Sequence, residues 1–97
     1  MNSRIKKVLD NFEINEEQYN RIYDYLKCLN FDYNDGKDLS HYSFEGYVCQ
    51  IIGDKYSHYP AERIAIEIYK TGEFQELIKN VIYKENIKVL SELNKSF

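Results

Sequence analysis

Apolar residues recur at helical spacing along nearly the whole of this 97-residue chain, and with one proline and four glycines the punctuation between them is sparse. That pattern commits the chain to helices packed on one another. The clearest case begins at Asn15. Asn15 precedes Glu16-Glu17-Gln18, so its side chain can take the backbone N–H of Gln18 while Gln18 reaches back to Asn15. Ile14 and Tyr19 stand at the two positions of a hydrophobic staple, and Glu16 and Glu17 fall where the helix dipole favours acids. Tyr19, Ile22, Tyr23, Leu26 and Leu29 then lie within about 120° of arc. Glu17, Arg21, Asp24 and Cys28 face the other way, and Tyr25 falls on the margin, where it is expected to meet solvent or a partner.

The other segments follow the same logic. Residues 3–12 predict a first helix with Ile5, Val8, Leu9 and Phe12 inward and Asn2 or Ser3 as cap. Residues 31–38 read as a loop, because Asn34-Asp35-Gly36 tolerates positive φ. A third helix is expected from Asp38 or Ser40 to about Ile52, burying Leu39, Tyr42, Phe44, Val48, Ile51 and Ile52, weakened at Gly46 and ended by Gly53. Residues 54–59 connect, and Pro60 suits the first turn of a fourth helix. There, Ile64, Ile66 and Ile68 alternate as in a strand, while Ala61, Glu62, Ala65 and Glu67 are helix formers. Helix is expected, with a short strand at 63–69 as the alternative. Thr71-Gly72 closes the segment. Phe74, Leu77, Ile78, Val81 and Ile82 predict a last helix, continued by Ile87, Leu90 and Leu93 after a break at Asn86. The expected fold is a single all-α domain over residues 1–97, a small antiparallel bundle of four to five helices.

Charge is uneven along this frame. Residues 13–45 carry Glu13, Glu16, Glu17, Asp24, Asp32, Asp35, Asp38 and Glu45 against Arg21, Lys27 and Lys37, a balance of −5 in a chain of net charge −3. The same stretch holds Tyr19, Tyr23, Tyr25, Tyr33 and Tyr42 among the ten tyrosines. The acidity argues against direct binding to nucleic acid, which needs clustered Lys and Arg. No apolar run approaches the ~18 residues that span a bilayer, and no apolar region follows the basic Arg4-Ile5-Lys6-Lys7 start, so neither a membrane nor a signal peptide is expected. Two cysteines, Cys28 and Cys49, read as reduced thiols of a cytoplasmic protein.

Chemistry-bearing motifs are missing from the pattern. Cys28, His41, Cys49 and His58 stand too far apart for metal-ligand spacing, so no metal and no cofactor is expected. Asp32, Asn34 and Gly36 do not reproduce a calcium loop with its terminal Glu. No Gly-rich phosphate loop and no nucleophile–base signature occurs, so an enzyme is not expected. A helix-turn-helix centred on Gly53 would put Pro60 inside a recognition helix almost devoid of base.

Three short likenesses remain. Asp35-Gly36-Lys37-Asp38-Leu39-Ser40-His41-Tyr42, followed by Glu45-Gly46-Tyr47-Val48, resembles the specificity segment of colicin-type DNase immunity proteins. His41 stands at that family's first Tyr, and the spacer before its last helix is missing. The resemblance implies an inhibitory surface that includes Asp38 and Tyr42. Acyl carrier proteins attach their prosthetic group in Asp-Ser-Leu, whereas the order here is Asp38-Leu39-Ser40. Histidine phosphotransfer domains need a Lys where Phe44 follows His41. None of the three identifies a family.

Two functional expectations follow. The first is a small acidic inhibitor of the anti-defence or immunity type carried by phages and mobile elements, anti-CRISPR proteins among them. It would mimic nucleic acid and block the basic surface of a nuclease or nucleic-acid-binding complex. Its contact residues would be Glu17, Asp24, Tyr25, Asp32, Tyr33, Asp35, Asp38 and Tyr42, with acids steering association and tyrosines anchoring it. The second is a non-catalytic regulatory or assembly subunit, such as a homodimer formed through the Phe74–Leu93 stripe.

Overall fold

The computed structural model describes residues 3–53 and 59–95. Among them are six α-helices, one π-helical turn and no strand. The all-α bundle is therefore what the chain forms. Its helix count exceeds the expected four to five because the C-terminal stripe is cut into separate pieces.

α1 (Ser3–Asn11) buries Ile5 and Leu9 against the fourth helix. The expected cap Asn2 lies outside the described residues, and Ser3 is already helical. α2 (Glu16–Asn34) starts as its sequence dictates: Asn15 Oδ1 accepts the Gln18 N–H at 2.8 Å, and Gln18 Oε1 accepts the Asn15 N–H at 2.9 Å. Ile14 and Tyr19 are both buried, as a staple requires.

α2 then runs further than expected. Residues 31–34 are helical, so Asp32 and Tyr33 sit on its last turn and not in a loop. Nothing between Leu29 and Asn34 breaks a helix, and half-buried Tyr33 continues the stripe of Ile22, Leu26 and Leu29. The turn residues act only at the end, where Asp35 caps the helix and the Lys37 N–H reaches back to the Asp32 carbonyl at 3.0 Å.

α3 (Phe44–Ile52) starts later than expected. Ser43 is its cap, accepting the Gly46 N–H through Oγ at 3.0 Å. Asp38 instead closes a local turn, accepting the Ser40 N–H at 2.9 Å and the Ser40 hydroxyl at 3.0 Å. The segment between is non-helical, which leaves Leu39 half-buried and Tyr42 47% exposed instead of inward. Gly46 has a reason to lack a side chain, since a Cβ there would meet Ser43 Oγ at 3.0 Å. α2 and α3 are antiparallel. Gln18 Nε2 donates to the Ile51 carbonyl at one end, Tyr25 stacks on Tyr47 midway, and Tyr42 reaches Asp32 at the other.

Of the expected connection 54–59, residues 54–58, with His58, lie outside the described residues. α4 (Tyr59–Lys70) settles the strand-or-helix ambiguity in favour of helix, so no strand forms at 63–69. It is the central element, packed by α1, α3 and α6, and Ile64, Ile66 and Ile68 are all buried. A helix with three others packed on it needs apolar residues over most of its circumference, so it tolerates an alternating pattern. Its Glu67, 8% exposed, is the only buried charged side chain among the described residues. Lys70 and Arg63 pair with it at 3.6 and 3.9 Å, and Arg63 Nη1 also donates to Glu92 Oε2 at 2.9 Å.

α5 (Gln75–Leu77) passes directly into the π-helical turn Ile78–Ile82, whose signature is the Tyr83 N–H bonded to the Ile78 carbonyl at 3.0 Å. α6 (Ile87–Asn94) opens after the expected break, with Asn86 capping the Val89 N–H. Val89 and Leu93 are its buried residues, and Ile87, expected inward, is 83% exposed. The break at Asn86 resets the helix phase, so the stripe does not continue through it.

Candidate functional site

The eight residues expected to meet a partner all come from α2 and the segment after it. Helix geometry divides the α2 members into two lines. Glu17, Asp24 and Phe31 are seven residues apart, so each lies only about 20° from the last. The line they form is ~21 Å long. All three are exposed, Phe31 at 70%. Phe31 was absent from the expected set because its segment read as loop; once α2 extends to Asn34, the heptad from Asp24 places it on the acidic face.

Tyr25 and Asp32 form the second line, and here the structure departs from a free surface. Tyr25 lies face to face with Tyr47 of α3, ring centroids 4.0 Å apart, and edge-on to Tyr42 at 6.4 Å. Burial pushes the Tyr25 hydroxyl upward in pKa, partly offset by a hydrogen bond from the Ser43 backbone. Tyr25 is thus half-buried packing between α2 and α3, and the solvent-facing tyrosine of the cluster is Tyr42. The Tyr42 hydroxyl donates to Asp32 Oδ2 at 3.4 Å, a long contact.

The acids at the end of α2 are organised locally. Lys37 Nζ lies 3.5 Å from Asp32 and 3.9 Å from Asp35. Asp38 is held below the usual carboxylate range, first by the Ser40 backbone N–H and then by its hydroxyl, so it stays ionised. Asp32, Asp35 and Asp38 therefore shape the turn as well as charging it. Glu17 and Asp24 have no ion pair among the described residues.

Beside this turn lies a cleft of about 460 Å³ between the end of α2, the 37–45 segment and residues 81–84. Tyr33, Asp38 and Tyr42 line it, so the fold gathers three expected residues at one concavity and leaves Glu17 and Asp24 well away along α2. Leu39, Phe44 and Ile82 contribute an apolar floor. Glu45 sits at the wall, its Oε2 accepting the hydroxyl of buried Tyr83 at 3.2 Å. Burial, with Glu45 beside it, pushes the Tyr83 hydroxyl far up in pKa. No sequence pattern tied residues 81–84 to the acidic segment, because their contact is long-range.

Cys28 is exposed and Cys49 half-buried, both as thiols outside any disulfide. Among the described residues no three of His, Cys, Asp and Glu gather closely enough to hold a metal ion, and no helix is long and apolar enough to cross a membrane. Comparison with protein-family models, curated proteins and solved structures yields no match to this chain.

Proposed function

We propose that this protein is a non-catalytic, acidic binding module that covers a basic, nucleic-acid-binding surface of a partner, in the manner of a phage or mobile-element anti-defence or immunity protein. The observation that carries the reading is the exposed line Glu17–Asp24–Phe31 on α2. It sets two carboxylates that have no ion pair among the described residues on one face with a large aromatic that is 70% exposed. Exposed aromatics set among charges are the residues from which interface hot spots are built, and like-signed charge accelerates encounter with an oppositely charged partner. The partner is a basic protein such as a nuclease; the acidic face would repel a phosphate backbone directly.

The test is association with a basic nuclease followed by stopped flow across ionic strengths. The on-rate should fall steeply with salt. Glu17→Lys with Asp24→Lys should lower it without lost local bonds, and Phe31→Ser should speed dissociation. Reversal of Asp32, Asp35 and Asp38 to Lys should abolish binding, at some cost to the turn those residues shape. Binding indifferent to salt and to these changes would sink the proposal.

One observation favours the second reading, an assembly subunit. Ile87 is 83% exposed beside half-buried Leu90 on α6. Leu93 is fully buried and belongs to the core of its own chain. A homo-oligomer seen by light scattering and dissociated by Ile87→Ser with Leu90→Ser would support this reading over the first.

A further inference from the structure

We infer that residues 73–85 form a strap that opens as a unit while the body, α1 to α4 with α6, stays folded. The opening is independent of the acidic-module reading. The strap is pinned at both ends. Before it runs α4, the central helix. After it, α6 is held to α4 by buried Val89 and Leu93 and by the Arg63–Glu92 pair at 2.9 Å.

Between those anchors the backbone takes uncommon forms. Phe74 stands at φ 56° and ψ 28°, a left-handed conformation that a bulky side chain adopts only under constraint. After the three residues of α5 the helix gives way to the π-helical turn. The turn has a cause in the packing. Ile78 and Tyr83 are both buried, and five residues along an α-helix would set them about 140° apart. The extra residue in the turn brings both inward, through a rarer backbone geometry.

The attachment of the strap to the body is narrow. α5 packs on α2, and the π-turn packs chiefly on α5. Two tyrosines fasten it. The Tyr23 ring meets that of Phe74 with centroids 5.4 Å apart, and its hydroxyl is bonded to Glu73. The Tyr83 hydroxyl donates to Glu45 of α3 at 3.2 Å. Strained backbone on a narrow attachment makes opening here cheaper than global unfolding. Opening removes the 81–84 wall of the cleft and bares Leu39 and Phe44 on its floor.

The test is native-state amide exchange by NMR in low urea, with closing fast relative to exchange. The Ile78 and Tyr83 N–H groups, bonded to the Phe74 and Ile78 carbonyls, report on the strap. Those of Leu26 in α2 and Ile64 in α4 report on the body. The strap pair should exchange at least about tenfold faster than the body pair, with one shared urea slope shallower than the global one. Arg63→Ala should speed the body amides about tenfold and leave the strap amides unchanged, because the lost pair lies outside the part that opens. Tyr83→Phe should speed the strap amides several-fold through the lost bond to Glu45. Equal protection and equal slope for strap and body would overturn the inference. So would strap amides without urea dependence, which would mean that each bond frays alone. Equal acceleration of both pairs in Arg63→Ala would overturn it as well, and if that variant does not fold, the wild-type slopes decide.

Discussion

Tyr25 of α2 and Tyr47 of α3 stack with ring centroids 4.0 Å apart and planes 14° from parallel. This pair joins the two antiparallel helices that carry the acidic segment, and it places Tyr25, expected to face outward, half-buried in the packing between them. Alanine at either position should cost about 1–3 kcal/mol in urea unfolding. The double-mutant cycle should return a coupling of about 0.5–1.5 kcal/mol, the usual worth of an aromatic pair beyond its buried area. A coupling of zero would mean the rings touch without mutual stabilisation.

Alkaline pH should weaken the fold through Tyr83 and Tyr19. Burial raises both hydroxyls above their ordinary value of 10.0, Tyr19 to about 12 and Tyr83 further. The folded state therefore holds protons that the unfolded state releases above pH ~10. Stability is fully present below that pH and falls as pH rises, by about 1.4 kcal/mol per pH unit for Tyr83. Thermal unfolding followed up to pH ~12 should show the decline. Tyr83→Phe should flatten it, while lowering stability at neutral pH by about 1–2 kcal/mol through the lost bond to Glu45.

Arg63 connects α4 to α6 by pairing with Glu92, and it also pairs with Glu67 on its own helix. Arg63→Ala would leave buried Glu67 to Lys70 alone. The expected loss is about 1–3 kcal/mol by chemical denaturation. Arg63→Lys should recover only part of it, since an ammonium lacks the fork that serves two carboxylates. Arg63 also holds the Glu92 carboxyl below its usual range, first by the hydrogen bond. That contribution is present at neutral pH and fades as pH falls through the lowered value, so the Arg63→Ala deficit should shrink in acid.

Gly53 ends α3 at φ 85° and ψ 172°, a region open essentially to glycine alone. Gly53→Ala should destabilise by about 1–3 kcal/mol even though no atom stands within 4 Å of the added Cβ. A neutral outcome in thermal unfolding would show that the chain relaxes locally at that turn.

Much of the architecture was legible in local pattern. The Asn15–Gln18 capping box, the stripe Tyr19–Ile22–Leu26–Leu29 and the break at Asn86 depend on residues at most a few turns apart, and the structure has each of them. The candidate surface was legible in part. Glu17 and Asp24 face outward as helix phase requires, but the end of α2 was misplaced. Asn34-Asp35-Gly36 announces a turn without saying how much helix precedes it.

What the sequence alone determined about this protein is its helical nature, most helix starts, and an acidic segment joined to tyrosines. Those properties follow from caps, periodicity and charge, which act within a few residues. The tertiary structure alone decided that Tyr25 packs on Tyr47, that Phe31 and Ile87 stand in the open, and that three helices pack around α4. It alone brought residues 81–84 against the 37–45 segment to form a cleft. Burial is a property of the whole packing, and no local pattern carries the identity of a neighbour some forty residues away.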